Sequence, residues 1–224
     1  MDLYEAMRTA ASTRDFRTDP VPAEVVHRVL DNARFAPSGG NRQGWRVIAV
    51  DDPGLRRAMG ELYLRRWEAY VEDARVGRVH ASGQTRSDGR PSPAADRFLA
   101  GADRFARSFA EIPLHLVVAV RLGALAIVDR DLDRPSIVGG ASIYPFVQNM
   151  LLGFRSEGLG ATFTSLLAAD EPELKRLLEI PDGYAVAGVL SAGHRSGAFP
   201  TRLRRGPVEE FATRNRFGGE PLPG

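Results

Sequence analysis

Residues 2–11 place Leu3, Ala6, Met7 and Ala10 at three- and four-residue spacing, which predicts a short amphipathic helix running into the polar turn Ser12-Thr13-Arg14-Asp15. The next helix is expected after Val21-Pro22, with Val25, Val26, Val29, Leu30 and Ala33 on one face, and it has to stop before Pro37. Val47-Ile48-Ala49-Val50 reads as a short buried strand. A third helix is expected over about 53–73, with Leu55, Ala58, Met59 and Leu62 turned inward. The pattern then breaks: residues 76–96 are rich in Gly, Ser, Pro and Arg, carry no apolar period, and are expected to form a mobile loop or lid.

Leu114 to Val120 is an almost continuous apolar run, as in a strand covered on both faces. From Gly139 to Glu157 a helical stripe of Ile143, Val147, Met150, Leu151 and Phe154 leads to Gly158, which suits a helix C-terminus. Ala161 to Leu166 predicts another strand. Asp170 with Glu173 predicts a capped helix carrying Leu174, Leu177 and Leu178 up to Pro181, and Tyr184 to Ser191 predicts the last strand. Helices and strands interleave without strict alternation, so an α+β layered domain is expected in place of a doubly wound sheet. No internal repeat is visible. The tail after about residue 197 holds an arginine cluster, Pro and Gly and little that could close a core, and the expected surface for it is a second copy of the protein.

Composition removes whole classes of chemistry. The 224 residues are 43% hydrophobic and 26% charged, in the range of a globular chain able to bury roughly 70% of its surface. Cysteine is absent, which excludes disulfide frameworks, thiolate nucleophiles, iron–sulfur clusters and cysteine zinc sites. Thirty basic against 28 acidic side chains give a formal charge of +2, a weak signal from which no nucleic-acid partner is expected. The opening MDLYEAMRTAASTRDF is charged throughout, and no later window approaches the roughly 18 apolar residues of a membrane span, so a cytoplasmic protein without membrane contact is expected.

The four histidines, His27, His80, His115 and His194, lack a second ligand-type residue at zinc-helix spacing, and no metal site is expected. Neither a Gly-x-Ser-x-Gly elbow nor a Walker loop nor Gly-x-Gly-x-x-Gly occurs, and Gly158-Leu159-Gly160 follows a helix where a dinucleotide fold needs a strand. Three separated stretches remain. Ser12-Thr13-Arg14 is a hydroxyl-rich turn with one fixed cation, suited to an anion or to a solvated helix end. In Ala36-Pro37-Ser38-Gly39-Gly40-Asn41-Arg42-Gln43-Gly44-Trp45 the glycines expose backbone donors, and Ser38, Asn41 and Gln43 can bond a polar planar ring, although Gly-Gly-Asn is also ordinary turn chemistry. Arg202-Leu203-Arg204-Arg205 can clamp a phosphate or form a solvated basic patch.

In order as well as content these residues resemble the FMN-dependent nitroreductase family. The matching segments are Ala11-Ser12-Thr13-Arg14-Asp15-Phe16, the Val-Pro-initiated helix ending in residues 36–45, Gln148-Asn149-Met150-Leu151-Leu152, Gly158-Leu159-Gly160, Leu178 to Tyr184, and Ala192-Gly193-His194. They cover about 1–60 and 110–211 and leave 61–110 as a variable, lid-like segment. The resemblance implies a single nitroreductase-like domain with a central, mostly antiparallel sheet flanked by helices, intertwined as a homodimer, with the C-terminal tail over about 197–224 extended onto the partner. It implies FMN as cofactor, NADPH or NADH as electron donor and a small flat acceptor such as a nitroaromatic or quinone, reduced in two ping-pong half-reactions by the flavin without a catalytic side chain.

By the same resemblance Ser12, Thr13 and Arg14, with Arg202, Arg204 and Arg205, would hold the phosphate. Pro37, Ser38, Gly39, Asn41 and Gln43 would reach ribityl or ring atoms, and Leu159-Gly160 would place a backbone N–H near flavin N5. The chain departs from the family pattern at Ala10 and Ala11, where members commonly carry arginine, so that Arg8 or the tail would have to replace that contact, and it has arginine for the usual tail lysine. Other activities on this fold are a specialised oxidation, flavin fragmentation or mere flavin sequestration. A lid lysine of the iodotyrosine dehalogenase type has no counterpart in a chain whose only lysine is Lys175.

Overall fold

The computed structural model describes residues 1–76 and 93–222. Helix α1 (Leu3–Thr9) starts on Asp2, whose side chain accepts from the Glu5 amide, and α2 (Ala23–Ala33) follows Pro22. The remaining elements are β1 (Trp45–Val50), α3 (Pro53–Arg75), α4 (Pro93–Arg107), β2 (Leu114–Arg121), α5 (Tyr144–Ser156), β3 (Gly160–Thr164), α6 (Glu171–Leu177) and β4 (Tyr184–Gly193). The strands form one sheet in the order β1-β2-β4-β3 with every pairing antiparallel. This is the α+β arrangement expected from the sequence.

Strand β2 is buried at seven of its eight positions because both faces of the sheet are covered. On one face α2 and α5 bring Val26, Val29, Phe146, Met150 and Phe154 against Leu116, Val118 and Leu190. On the other, α3, α4 and α6 bring Met59, Leu62, Trp67, Phe105 and Leu174 against Val117, Ala119 and Val189. Leaving Phe154 or Phe109, both fully buried, as alanine would cost about 3–5 kcal/mol each.

Several expectations move at their edges. The helix expected from Gly139 starts at Tyr144 after a 3-10 turn over Val138–Ser142, because Pro145 can occupy only a first turn. Gly158 closes α5 as expected, with a positive φ of 75°. The strand expected to reach Leu166 ends at Thr164 and passes into a 3-10 turn over Leu166–Asp170. The expected Asp170 cap of α6 is absent: the Asp170 carboxylate is taken by Arg66 and Glu173 by Arg65, so both carboxylates tie α6 to α3. The loop or lid expected over 76–96 lies almost wholly outside the described residues, but α4 begins at Pro93. Its signal is Leu99, Ala102, Phe105 and Ala106 at helical spacing, inside the 61–110 segment that is otherwise expected to be variable.

The edge of the sheet positions the first candidate stretch. Ser12 forms a parallel bridge to Ala161, and the Thr13 amide donates to the Ala161 carbonyl at 3.0 Å, so the segment after α1 covers the open side of β3. A Cβ on Gly160 would stand 2.5 Å from Thr13 Oγ1, so only glycine lets the two backbones approach this closely. Gly188 does the same for the end of β3, where a Cβ would meet Phe163 at 2.5 Å.

Candidate functional site

Along this extended segment Thr13 is buried against Gly160, whereas Ser12 and Arg14 turn to the other side, as alternation requires. They open onto two different cavities. Ser12 lines a polar cavity of about 240 Å³ together with Ala10, Ala11, Gln148, Arg155, Leu159, Phe199 and Arg205. Arg14 lines an aromatic cavity of about 250 Å³ walled by Tyr63, Trp67, Tyr70, Phe98, Phe105 and Phe163, with Thr164, Ser165 and Leu166 at its floor. Ala161 belongs to the first wall and Thr162 to the second, so the same strand runs beneath both.

The walls differ in chemistry. Around the polar cavity, the Arg155 guanidinium lies 4.0 Å over the Phe199 ring and its Nε donates to Thr9 Oγ1 at 2.9 Å. Arg195 approaches the same ring at 5.7 Å; its Nη1 reaches Thr13 Oγ1 at 3.4 Å and its Nε is buried without a partner. Among the described residues no carboxylate pairs with Arg155, Arg195 or Arg205. In the aromatic cavity, burial raises the Tyr63 phenol above its ordinary value, and its hydroxyl meets Thr164 Oγ1 at 3.3 Å, so it is a neutral hydrogen-bonding group. The Arg14 guanidinium lies 5.3 Å from the Phe98 ring.

The loop at 37–43 lies elsewhere. Pro37, Ser38 and Gly39 line a third cavity, with Ala126, Val128, Val138 and Ser142. The Gly39 amide donates to Ser142 Oγ, the Gln43 amide to Ser38 Oγ, and Gln43 Nε2 to Asn41 Oδ1. Gly40, Asn41 and Gln43 all have positive φ, at 60°, 52° and 45°, a clustering of costly backbone in an exposed loop. Phe35, Leu122, Val128 and Ile137 are exposed around it.

Within one chain, therefore, Ser12, Leu159 and Arg205 come together, Arg14 faces a neighbouring cavity, and Pro37, Ser38, Gly39, Asn41 and Gln43 belong to a separate surface. Arg202 and Arg204 line none of these cavities. Ser12 and Arg14, expected on one phosphate, share one side of the segment that carries them but stand two residues apart along it, and each lines a different cavity. In the Leu159-Gly160 turn, expected to offer a backbone N–H near flavin N5, the Leu159 amide donates to the Phe154 carbonyl at 2.9 Å to close α5, and Gly160 stands opposite Gly193 in the sheet. Sequence reasoning missed Arg155, Gln148, Phe199 and the aromatic wall. A cation beside the apolar stripe of α5 was the available signal for Arg155, while the aromatics looked like ordinary core. Other candidates are structural: His115 bonds Ser191 and the Phe109 carbonyl inside the core, and Lys175 donates to the Tyr184 carbonyl. Among the described residues no group of acidic, His or Cys side chains forms a metal site, and no helix is long and apolar enough to cross a membrane.

This arrangement has known counterparts. The chain is 27% identical over 200 residues to an NADH dehydrogenase from Thermus thermophilus, covering 87% of each chain. It is 30% identical over 193 residues to a 5,6-dimethylbenzimidazole synthase from Rhodobacter capsulatus, covering 85% of this chain and 82% of the relative. A solved structure of oxidized iodotyrosine deiodinase bound to FMN and 3-iodo-L-tyrosine superposes with a TM-score of 0.71 at 21% identity, covering 96% of this chain and all of the other. The sequence profile of the nitroreductase family matches residues 7–194, and the chain belongs to that family.

Proposed function

We propose that the protein is an FMN-dependent oxidoreductase that accepts hydride from NADH or NADPH and passes it to a flat acceptor, such as a nitroaromatic or a quinone, in two half-reactions. The observation that carries this reading is the alternation of Ser12 and Arg14 on one side of a segment bonded to β3. It lines up a cationic cavity and an aromatic one along a single strand, a layout suited to a ligand with a phosphate at one end and a planar ring at the other.

The donor set fits FMN. Ser12 and Arg205 offer a hydroxyl and a guanidinium to the phosphate, and Gln148 an amide to the ribityl hydroxyls. Phe163, Phe98 and Tyr63 would line the slot for the ring, with the Arg14 guanidinium available as a cation beside it. The flavin, when bound, supplies the hydride chemistry; the chain supplies position and electrostatics. The Ser38, Asn41 and Gln43 loop serves the site of a second copy in this reading. Support comes from its exposed Asn41 and Gln43, its strained backbone, the apolar residues around it, and the exposed Val208, Phe211 and Phe217 of the tail. The family resemblance implies a cytoplasmic homodimer.

The test is spectroscopic. The purified protein is expected to be yellow or to take up FMN, to bleach when mixed anaerobically with NADH or NADPH, and to recover its colour with a quinone or nitroaromatic. A colourless protein that takes up no FMN would end the proposal. The similarity to a 5,6-dimethylbenzimidazole synthase favours one second reading, in which the flavin is itself consumed. The product in that name contains a dimethylated benzene ring bearing two adjacent nitrogens, as the isoalloxazine ring does. Mass spectrometry of small molecules released after reduction in air separates the two: a dimethylbenzimidazole supports the second and unchanged FMN the first.

A further inference from the structure

The polar cavity contains an arginine from α5, Arg155, beside two alanines. Ala10 and Ala11 line it with methyl groups where an arginine is commonly found, so the charge for a phosphate has to come from another element. Arg8 does not provide it: its guanidinium lies 5.8 Å over the Tyr4 ring, and its carbonyl accepts from the Leu203 amide. Of the tail arginines only Arg205 lines the cavity.

Arg155 reaches the same cavity from the opposite side, from the last turn of α5. Its plane is fixed from two directions, by Phe199 at 4.0 Å and by the bond from Nε to Thr9 Oγ1. Thr9 is itself fixed, since it is buried and donates to the Glu5 carbonyl at 2.7 Å. The nearby carboxylate at the C-cap of that helix, Glu157, is drawn off by Arg28 at 2.8 Å. Among the described residues the bond to Thr9 is the only hydrogen bond the Arg155 side chain makes, which leaves both terminal nitrogens as donors.

We propose that Arg155 is the phosphate anchor of the bound flavin, taking over the charge absent at positions 10 and 11, with Thr9 and Phe199 as its positioning residues. The proposal rests on the FMN reading above. A guanidinium already stacked and bonded loses little freedom on meeting a planar pair of phosphate oxygens, so it is a stronger anchor than a mobile tail arginine.

The test is titration of apoprotein with FMN and, separately, with riboflavin, which lacks the phosphate, followed by quenching of flavin fluorescence. Arg155→Ala is expected to weaken FMN binding about ten- to hundredfold and to leave riboflavin binding unchanged. Ala10→Arg in the Arg155→Ala background is expected to recover most of the FMN affinity, and Arg8→Ala to change neither. Arg155→Lys, which keeps the charge but not the planar fork, should give intermediate FMN affinity and decides the matter if the alanine variant fails to fold. Equal losses for FMN and riboflavin, no loss for FMN, or wild-type protein that binds both flavins equally well would each overturn the proposal while leaving the flavin site standing. Wild-type protein that binds neither flavin removes the FMN reading itself.

Discussion

Asp129 and Arg155 show the two uses of charge in this arginine-rich chain. Asp129 is 5% exposed and accepts from Ser136 Oγ, the Ile137 amide and Arg134, so the loop that carries it closes on its own charges. Those three bonds, the Ser136 hydroxyl foremost, hold its carboxyl well below the ordinary carboxylate range. Around the polar cavity Arg155, Arg195 and Arg205 have hydroxyl, ring and carbonyl partners but, among the described residues, no carboxylate. Polar groups that satisfy one another shape the fold; cations that gather without a carboxylate shape a site. The His115 ring is of the first kind: stacked on Phe109 and bonded through both nitrogens, it is held to a pKa of about 3, by burial first, then by Arg56, against the hydrogen bond to the Phe109 carbonyl.

This division can be broken or sharpened by experiment. The largest effect belongs to His115. Its folded pKa is depressed, so the unfolded chain binds the proton first, and its contribution is lost as pH falls from the ordinary 6.5 towards about 3. Unfolding free energy from urea titrations is expected to decline by up to about 1.4 kcal/mol per pH unit over that window, with the Asp129 contribution lost only below the ordinary 3.8. A flat profile between pH 6 and 4.5 would mean that His115 is not held neutral. Next comes Gly160→Ala, whose methyl group would strike Thr13; about 1–3 kcal/mol of stability is expected to go, along with flavin binding, because both cavity walls move. Retention of full FMN affinity would detach the Ser12 segment from the site.

Arg14→Ala is expected to weaken FMN and riboflavin alike, about tenfold, since Arg14 stands at the aromatic cavity, with little change in the Tm of the apoprotein. A loss confined to FMN would return Arg14 to the phosphate. The smallest effect is that of Asp129→Asn, a modest fall in Tm with FMN affinity untouched, and a flavin phenotype there would dissolve the contrast between the two regions. Removing the tail from Pro200 tests the second copy: size-exclusion with light scattering is expected to show weakened dimers, and an unaltered dimer that retains its flavin would refute the role of the tail.

Much of the fold is legible in local pattern. The continuous run of β2 and the stripe Ile143, Val147, Met150 and Phe154 on α5 end up where their periodicity puts them, because burying an apolar face constrains a helix or strand whatever its neighbours. Less legible were element ends, where Asp170 preferred Arg66 to a helix cap, and α4, whose periodic residues sat beside a stretch without any pattern. For the site, the Ser12 turn and the 37–43 loop stood out as polar residues where a plain turn needs none. Their placement in separate cavities did not, because that depends on which distant elements wall each position: α5 and the tail beside Ser12, α3 and α4 beside Arg14, and the turn over Val138–Ser142 beside the 37–43 loop.

The amino-acid sequence by itself determined the α+β class, the doubly covered central strand, the absence of thiol chemistry and the membership of a flavin-linked family, all of which follow from residue type and near-neighbour spacing. Only the tertiary structure decided that Leu159 spends its amide on a helix end, that Ser12 and Arg14 serve different cavities, and that Arg155 faces the gap at Ala10. The physical reason is range. Periodicity and capping act over a few residues, whereas the bond that aims Arg155 joins it to Thr9 across 146 positions, and a pairing over that distance has no local signature.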